Sequence, residues 1–297
     1  MKEIRIGISG WTYPPWRGEF YPNKLPQRRE LEYASRQVNS IEINGTFYGM
    51  QKPASFQRWD AATPDDFVFS IKGSRYITHI TRLKDPKLPL ANFFASGILT
   101  LGRKLGPILW QLPPSFHYDK GTLENFFKFL PHDAEAASDL AHCHDMKIRG
   151  HAALKAADGV PPRHALEVRH KSFENEEFIE LLREYRVALV VADTAGKWPF
   201  MEDVTSDFVY ARLHGDTKLY TSGYTEPALE EWARKVRRWS EGGNPQGTKL
   251  VATPAPVSAE GRDVYVYFDN DVKIRAPFDA ISLGRRFGLE PGGDLDA

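Results

Sequence analysis

The sequence predicts an α/β fold, a (β/α)8 TIM-type barrel forming a single domain over residues 1–290. Three observations predict it. Eight short runs rich in β-branched and aromatic residues alternate with segments of helical spacing, and the length, 297 residues, is near that usual for a barrel. The strands also present one apolar and one polar face, whereas an open parallel sheet covered by helices on both sides would be apolar on both.

In chain order the strands are expected at 4–9, 38–44, 67–72, 107–112, 165–169, 187–193, 208–214 and 264–269. Successive strand side chains point to opposite faces, so Ile41 and Ile43 share one side while Ser40, Glu42 and Asn44 share the other. Leu166 and Val168 oppose Glu167 and Arg169 in the same way. Val209, Ala211 and Leu213 oppose Tyr210, Arg212 and His214. Between the fourth and fifth strands one helix is expected near 122–130, a break at Pro131 and a second helix near 133–147. At 176–185 Phe178, Leu181, Leu182 and Tyr185 form an apolar stripe behind a capping Asn175. At 226–239 Leu229, Trp232, Ala233 and Val236 form another, capped by Thr225. The Gly- and Pro-rich stretch 241–262 precedes a strand and is expected as a tolerated insertion away from the catalytic mouth, and 291–297 as a flexible tail.

Composition excludes several classes. The 39 basic and 39 acidic side chains balance, against a protein that coats duplex nucleic acid by bulk charge. No apolar run nears the roughly 20 residues of a membrane span. The start MKEIRIGISGW enters a strand directly, without a signal segment, and one cysteine, Cys143, allows no internal disulfide. A cytoplasmic location is expected, with no membrane partner and no inference about oligomeric state.

Collecting the inward positions at strand C-termini gives Ser9, Glu42, Asn44, Lys72, Gln111, Glu167, Arg169, Asp193, Arg212, His214 and Asp269. A structural ion-pair network is the plain account of them. Against it stands the cost of burying so many charges without a use. The functional account is a site for a small anionic ligand. Lys72, Arg169, Arg212 and His214 would be donors there, and Glu42, Glu167 or Asp193 would supply acid–base capacity.

Aromatic residues crowd the loops that follow the strands: Trp11, Tyr13, Trp16, Phe20 and Tyr21, then Phe47 and Tyr48, Tyr76, Trp198 and Phe200, Tyr220 and Tyr224. Singly they are core fillers; jointly they suggest a wall that stacks on a ring. The segment 212–220 offers Arg212, His214, a free backbone at Gly215 and Lys218 for phosphate, at a place where barrels often hold it. Glu42, Glu167, Asp193 and His214 suit a divalent metal, but Lys72, Arg169 and Arg212 neutralise those acids without one, so a metal is not favoured. The cluster His142, Cys143, His144 and His151 is spaced poorly for ligation on one helix face. No Walker loop, GxGxxG, GxSxG or HExxH signals an organic cofactor or a familiar hydrolase.

The strings GISGWTYPPWRGEFYP (7–22), IEINGTFYGMQKP (41–53), FSIKGSRYITHITRL (69–83), LWQLPPSF (109–116), LEVRHKSF (166–173), VADTAGKWP (191–199), VYARLHG (209–215) and VYVYFDND (264–271) run in order along the chain. Together they resemble the YecE-like family, a bacterial domain of unknown function. The resemblance implies a (β/α)8 barrel and no established activity. Its motif residues fall on Trp11, Tyr13, Glu42, Asn44, Phe47, Tyr48, Lys72, His79, Gln111, Pro113, Glu167, Arg169, Asp193, Arg212, His214, Gly215 and Asn270. Asp269 departs from the family's asparagine, and 241–262 is longer than usual.

The expectation is therefore an enzyme, hydrolytic as the least specific guess, binding a phosphate- or carboxylate-bearing ligand with a stackable ring. Glu42, Glu167, Asp193 and His214 are its candidate catalytic residues. Trp11, Tyr13, Asn44, Tyr48, Lys72, Gln111, Arg169, Arg212, Gly215 and Asn270 are its candidate binding residues. A nucleic-acid binder or metal-dependent end-processor, and a non-catalytic metabolite-binding barrel, are the alternatives.

Overall fold

The computed structural model describes residues 2–148, 150–270 and 274–292. Among them, eight parallel strands run in sequence order around a closed barrel. They are β1 (Ile4–Ser9), β2 (Ser40–Ile43), β3 (Val68–Lys72), β4 (Leu105–Gln111), β5 (His164–Glu167), β6 (Ala188–Asp193), β7 (Phe208–Leu213) and β8 (Asp263–Phe268). The helices are α1 (Glu30–Gln37), α2 (Gly45–Tyr48), α3 (Pro53–Ala61), α4 (Lys87–Ala95), α5 (Lys120–Phe127), α6 (Ala134–His142), α7 (Glu176–Glu184), α8 (Glu226–Ser240) and α9 (Ala276–Arg285). This is the expected (β/α)8 order. Contacts concentrate in two compact units, Met1–Glu42 with Glu174–Ala297, and Ile43–Phe173. Of the expected tail at 291–297, residues 293–297 lie outside the described residues.

In the first unit β1 pairs with β2 and β8, and β7 with β6 and β8, all parallel. Ile6, Ile8, Ile41, Val209, Ala211, Leu213, Val264 and Val266 are buried on the apolar faces. The alternate positions stack polar groups: the Ser40 and Tyr267 hydroxyls lie 2.6 Å apart, and the Tyr210 and Tyr267 rings 5.2 Å. Strands meet closely at Gly7, where a Cβ would land 1.8 Å from the Ser40 carbonyl oxygen, so only glycine fits. α8 buries the stripe expected of it, Leu229, Trp232, Ala233 and Val236, and α7 buries Phe178, Leu181 and Leu182, whereas Tyr185, expected in that stripe, is the C-cap residue and only half-buried. Asn175 accepts from the Phe178 amide and Thr225 from the Ala228 amide, each satisfying an orphan donor of the first turn. Thr225→Ala is expected to cost about 1 kcal/mol, read as a lowered urea midpoint at unchanged slope. An unchanged midpoint would deny the cap its role.

The 241–262 stretch is irregular as expected but firmly anchored. Buried Asp203 accepts the Val251 and Ala252 amides, Glu202 accepts the Lys249 amide, and Arg262 donates to the Gly243 and Pro256 carbonyls. Composition rich in Gly and Pro conceals such anchorage because the anchoring carboxylates come from a distant segment.

In the second unit β3, β4 and β5 pair in parallel. Phe93, Trp110, Phe126 and His164 form an aromatic core, with Trp110 5.4 Å from Phe93 and 5.3 Å from Phe126. The helix expected over 133–147 is shorter, ending at His142, because the Asp145 amide turns aside to Asn92 Oδ1 at 3.0 Å. Cys143 is thus an exposed helix cap, not a helix-interior residue. Among the described residues no helix is long and apolar enough to cross a membrane.

Candidate functional site

In the first unit the residues at the ends of β1, β2, β7 and β8 converge on one carboxylate. Glu42 Oε1 accepts from Ser9 Oγ at 2.9 Å and Arg212 Nη2 at 2.8 Å. Its Oε2 accepts from the Tyr210 hydroxyl at 2.6 Å and Arg212 Nε at 3.0 Å. Arg212 Nη2 also donates to Asp269 Oδ2 at 2.8 Å, and Nη1 lies 3.4 Å from His214 Nε2. His214 Nδ1 faces the same Asp269 oxygen at 3.0 Å, off the line of a good hydrogen bond. Glu42, Arg212 and His214 are fully buried, and Asp269 alone of the four keeps some exposure, at 14%. Burial first, then the Glu42 charge, pushes the Tyr210 hydroxyl well above its ordinary value, so it serves as a donor only.

This geometry revises two expectations. Arg212 is not open to an external anion, because the two carboxylates hold its fork. Glu42 is held by four donors, the environment of a structural acid more than of a proton acceptor. Asp269 supplies the second carboxylate that Arg212 bridges.

Asp193 ends β6 half-buried. Its Oδ2 accepts from the Tyr224 hydroxyl at 3.0 Å. Burial raises its pKa above the ordinary carboxylate value, partly opposed by that hydrogen bond. Tyr224 in turn accepts from the Gly215 amide at 3.2 Å. Gly215 has the positive φ its turn requires, 125°, but its amide is therefore not the free anion donor the sequence suggested. Asn270 Nδ2 donates to the Ser222 carbonyl at 2.9 Å and to Asp279 Oδ2 at 2.8 Å, which ties it to the loop after β7. Of the aromatics after β1, Trp16, Phe20 and Tyr21 are buried against one another and Tyr33, so they form core and not a stacking wall. Trp11 and Tyr13 stay partly exposed, with the Tyr13 hydroxyl donating to the Ser9 carbonyl at 2.6 Å.

The second unit gathers the remaining residues and has the opposite electrostatic character. Lys72, Gln111 and Glu167 are the last residues of β3, β4 and β5. Arg169, beyond the end of β5, donates through Nε to Glu167 Oε1 at 2.7 Å and through Nη2 to Gln111 Oε1 at 3.0 Å. Lys72 Nζ lies 4.6 Å from the centroid of the Phe47 ring. That ring meets His79 edge-on at 5.0 Å. His79 sits in a π-helical turn, Tyr76–Ile80. Burial, then Lys72, Arg169, Arg75 and Arg82, push its imidazole down to about 4. Four cations therefore bear on one neutral imidazole. Asn44 holds the N-cap position of α2 without a side-chain cap, its buried Oδ1 meeting no hydrogen-bond partner among the described residues, and Tyr48 at the far end of that turn is 73% exposed. His79 lies outside any strand, so strand parity does not place it; its signals in the sequence are its position in the family motif and the basic run Lys72, Arg75 and Arg82 around it.

Among the described residues, no group of three or more His, Cys, Asp and Glu side chains is placed to hold a metal ion. In the histidine-rich segment, His142 Nδ1 bonds to the Ser138 carbonyl and His144 Nδ1 to the Asp145 carbonyl.

The chain is similar to the UPF0759 protein YecE of Escherichia coli (strain K12), 30% identical over 140 residues, covering 47% of this chain and 48% of that protein. It is similar to the UPF0759 protein YunF of Bacillus subtilis (strain 168), 27% identical over 122 residues, 39% of this chain and 42% of that one. The aligned stretch thus spans about half the length of the curated relatives. Among solved structures, a DUF72 family protein of Thermotoga maritima superposes with a TM-score of 0.72 at 24% identity, covering 96% of this chain and 99% of that one. One of Enterococcus faecalis gives 0.68 at 17%, covering 99% and 100%. Both bear on the fold alone. The family described as "Protein of unknown function DUF72" matches residues 5–295, nearly the whole chain, and the chain belongs to that family.

Proposed function

We propose that the protein is a cytoplasmic enzyme, hydrolytic in class, that binds a phosphate- or carboxylate-bearing ligand among Lys72, Arg169, Arg75 and His79. One observation carries the reading: in a chain with no net charge, four cations bear on His79, with Lys72 over the Phe47 ring that meets the imidazole edge-on. The first unit differs, because Arg212 there is consumed by Glu42 and Asp269. Cations held at strand ends supply a preorganised field for a bound anion, and for charge that develops on it during attack by water.

In such a hydrolysis water adds to the phosphoryl or acyl centre, the bond to the leaving group breaks, and the proton lost by water reaches the leaving group. Glu167, beside Arg169, is the proton acceptor we assign in this unit. Glu167→Gln should therefore lower kcat about 100-fold or more.

Binding itself has a proton signature. An anion among these cations cancels part of their field, so the His79 pKa should climb from about 4 toward its ordinary 6.5. Titration of His79 by NMR, with and without saturating inorganic phosphate, should show the rise, with net proton uptake on binding at pH 5.5. Lys72→Met alone should raise it in the absence of phosphate. A His79 titration that neither change moves would overturn the anion reading.

A further inference from the structure

Beside the cationic cluster, the second unit holds a cavity of about 290 Å3 that the reaction outlined above does not use. Ile77 and Phe93 supply buried apolar lining, and Tyr48 and Tyr76 stand at it with 73% and 51% of their surface exposed. Large exposed aromatics beside a concave apolar surface mark a place for a ligand more than a packing need. Arg75 and Lys147 also line it, and neither guanidinium nor ammonium makes a hydrogen bond or ion pair among the described residues. Asn92, almost fully buried, lines it too; its Oδ1 accepts the Asp145 amide, and its Nδ2 donates to no protein group among the described residues.

The cavity and the cation cluster share parts. Arg75 lines the one and bears on His79 in the other. Tyr76 and His79 occupy one π-helical turn. Tyr48 meets the Phe47 ring edge-on at 5.1 Å, and Lys72 lies over that same Phe47. A molecule that places an anion among Lys72, Arg169 and Arg75 therefore has an apolar recess beside its anionic end.

We propose that this cavity binds a planar heteroaromatic ring joined to the anion, so that the ligand class is the mononucleotide. The inference rests on the anion-binding reading above and adds the ring. Tyrosine faces and a guanidinium stack on a base regardless of its identity. The spare Asn92 amide donor would meet a ring nitrogen or carbonyl, a contact that a purely hydrocarbon ring would forfeit. The volume, just under the roughly 300–1,000 Å3 of ligand sites that take a whole drug-sized molecule, suits one ring and not an extended chain.

Isothermal titration with four probes tests the assignment: a nucleoside 5′-monophosphate, the matching nucleoside, ribose 5-phosphate, and a short single-stranded oligonucleotide. The monophosphate is expected to bind about tenfold or more tighter than ribose 5-phosphate. Tyr76→Ala and Tyr48→Ala, both at exposed positions where folding is not at stake, should bring that ratio toward one, Tyr76→Ala without changing ribose 5-phosphate affinity. Equal affinities with both variants inert would overturn the ring site while the anion reading stood. A nucleoside binding as tightly as its monophosphate would sink the anion reading and keep the cavity. No binding by any probe overturns the mononucleotide assignment, as does an oligonucleotide bound about 100-fold more tightly than the monophosphate.

Discussion

Arg212→Leu is expected to cost about 3–5 kcal/mol of stability, because it leaves a buried carboxylate without its cation. Glu42 is fully buried and receives two of its four hydrogen bonds from this guanidinium. After the substitution, among the described residues only Ser9 and Tyr210 still donate to it, and Asp269 loses its 2.8 Å partner. Removing the negative charge as well, in Glu42→Gln with Arg212→Leu, should cost less than the sum of the two single changes. The surviving donors can satisfy an amide, but not a desolvated charge. Urea unfolding of the four species gives the coupling directly. A single-variant loss below about 1 kcal/mol, or strict additivity, would show that the pair is not the keystone of this unit.

The second large effect is a pH dependence of stability centred on His164. This residue is wholly buried, its Nε2 lies 2.8 Å from the Pro131 carbonyl and its Nδ1 3.2 Å from Trp110 Nε1. The indole N–H can only donate, so Nδ1 must accept and Nε2 must carry the single proton. Protonation would set N–H against N–H in an apolar core. Burial is the main cause that pushes the imidazole down to about 3, with the Pro131 hydrogen bond opposing and His132 assisting. Above pH 6.5 both folded and unfolded chains hold this ring neutral, and it imposes no penalty. As the pH falls from 6.5 toward 3, the unfolded chain takes up a proton that the folded chain refuses. Stability then declines by about 1.4 kcal/mol per pH unit from this group. His164→Gln keeps a donor and an acceptor but cannot titrate. Between pH 6.5 and 4 the native protein should lose roughly 3 kcal/mol more than the variant in urea-derived stability. Parallel pH profiles would refute the assignment, whatever the constant offset between the two proteins.

The barrel was legible because strand parity needs only a period of two. Ser40, Glu42, Tyr210, Arg212 and His214 occupy the side that alternation assigned them, and the capping roles of Asn175 and Thr225 follow from the residue type beside a helical stripe. Partner choice was not legible. That Arg212 is spent on Glu42 and Asp269 depends on strand register, such as Ser9 opposite Glu42 and Leu213 opposite Phe268, which sets residues far apart in sequence side by side. His79 escaped the strand-end argument because a π-helical turn has no place among templates of 3.6 and 2 residues. The aromatic cluster after β1 misled for a compositional reason: Trp16, Phe20 and Tyr21 would look alike in a stacking wall or a small satellite core, and only their burial separates the two.

The pairing of β1 with β8 also sets an order of events during synthesis. Ile4 lies opposite Val264, and the Glu3 amide reaches Asp263, 260 positions along the chain. One edge of β1 therefore waits, unpaired, until the 260 positions that separate Glu3 from Asp263 have been made, an interval in which edge-to-edge association with other nascent chains competes. The stretch 43–173 has no such wait, since its three strands and their helices are contiguous. Pulse-labelled hydrogen exchange during refolding should protect amides of β3 to β5 before those of β1, the slow closing step being the docking of the last strand against the first.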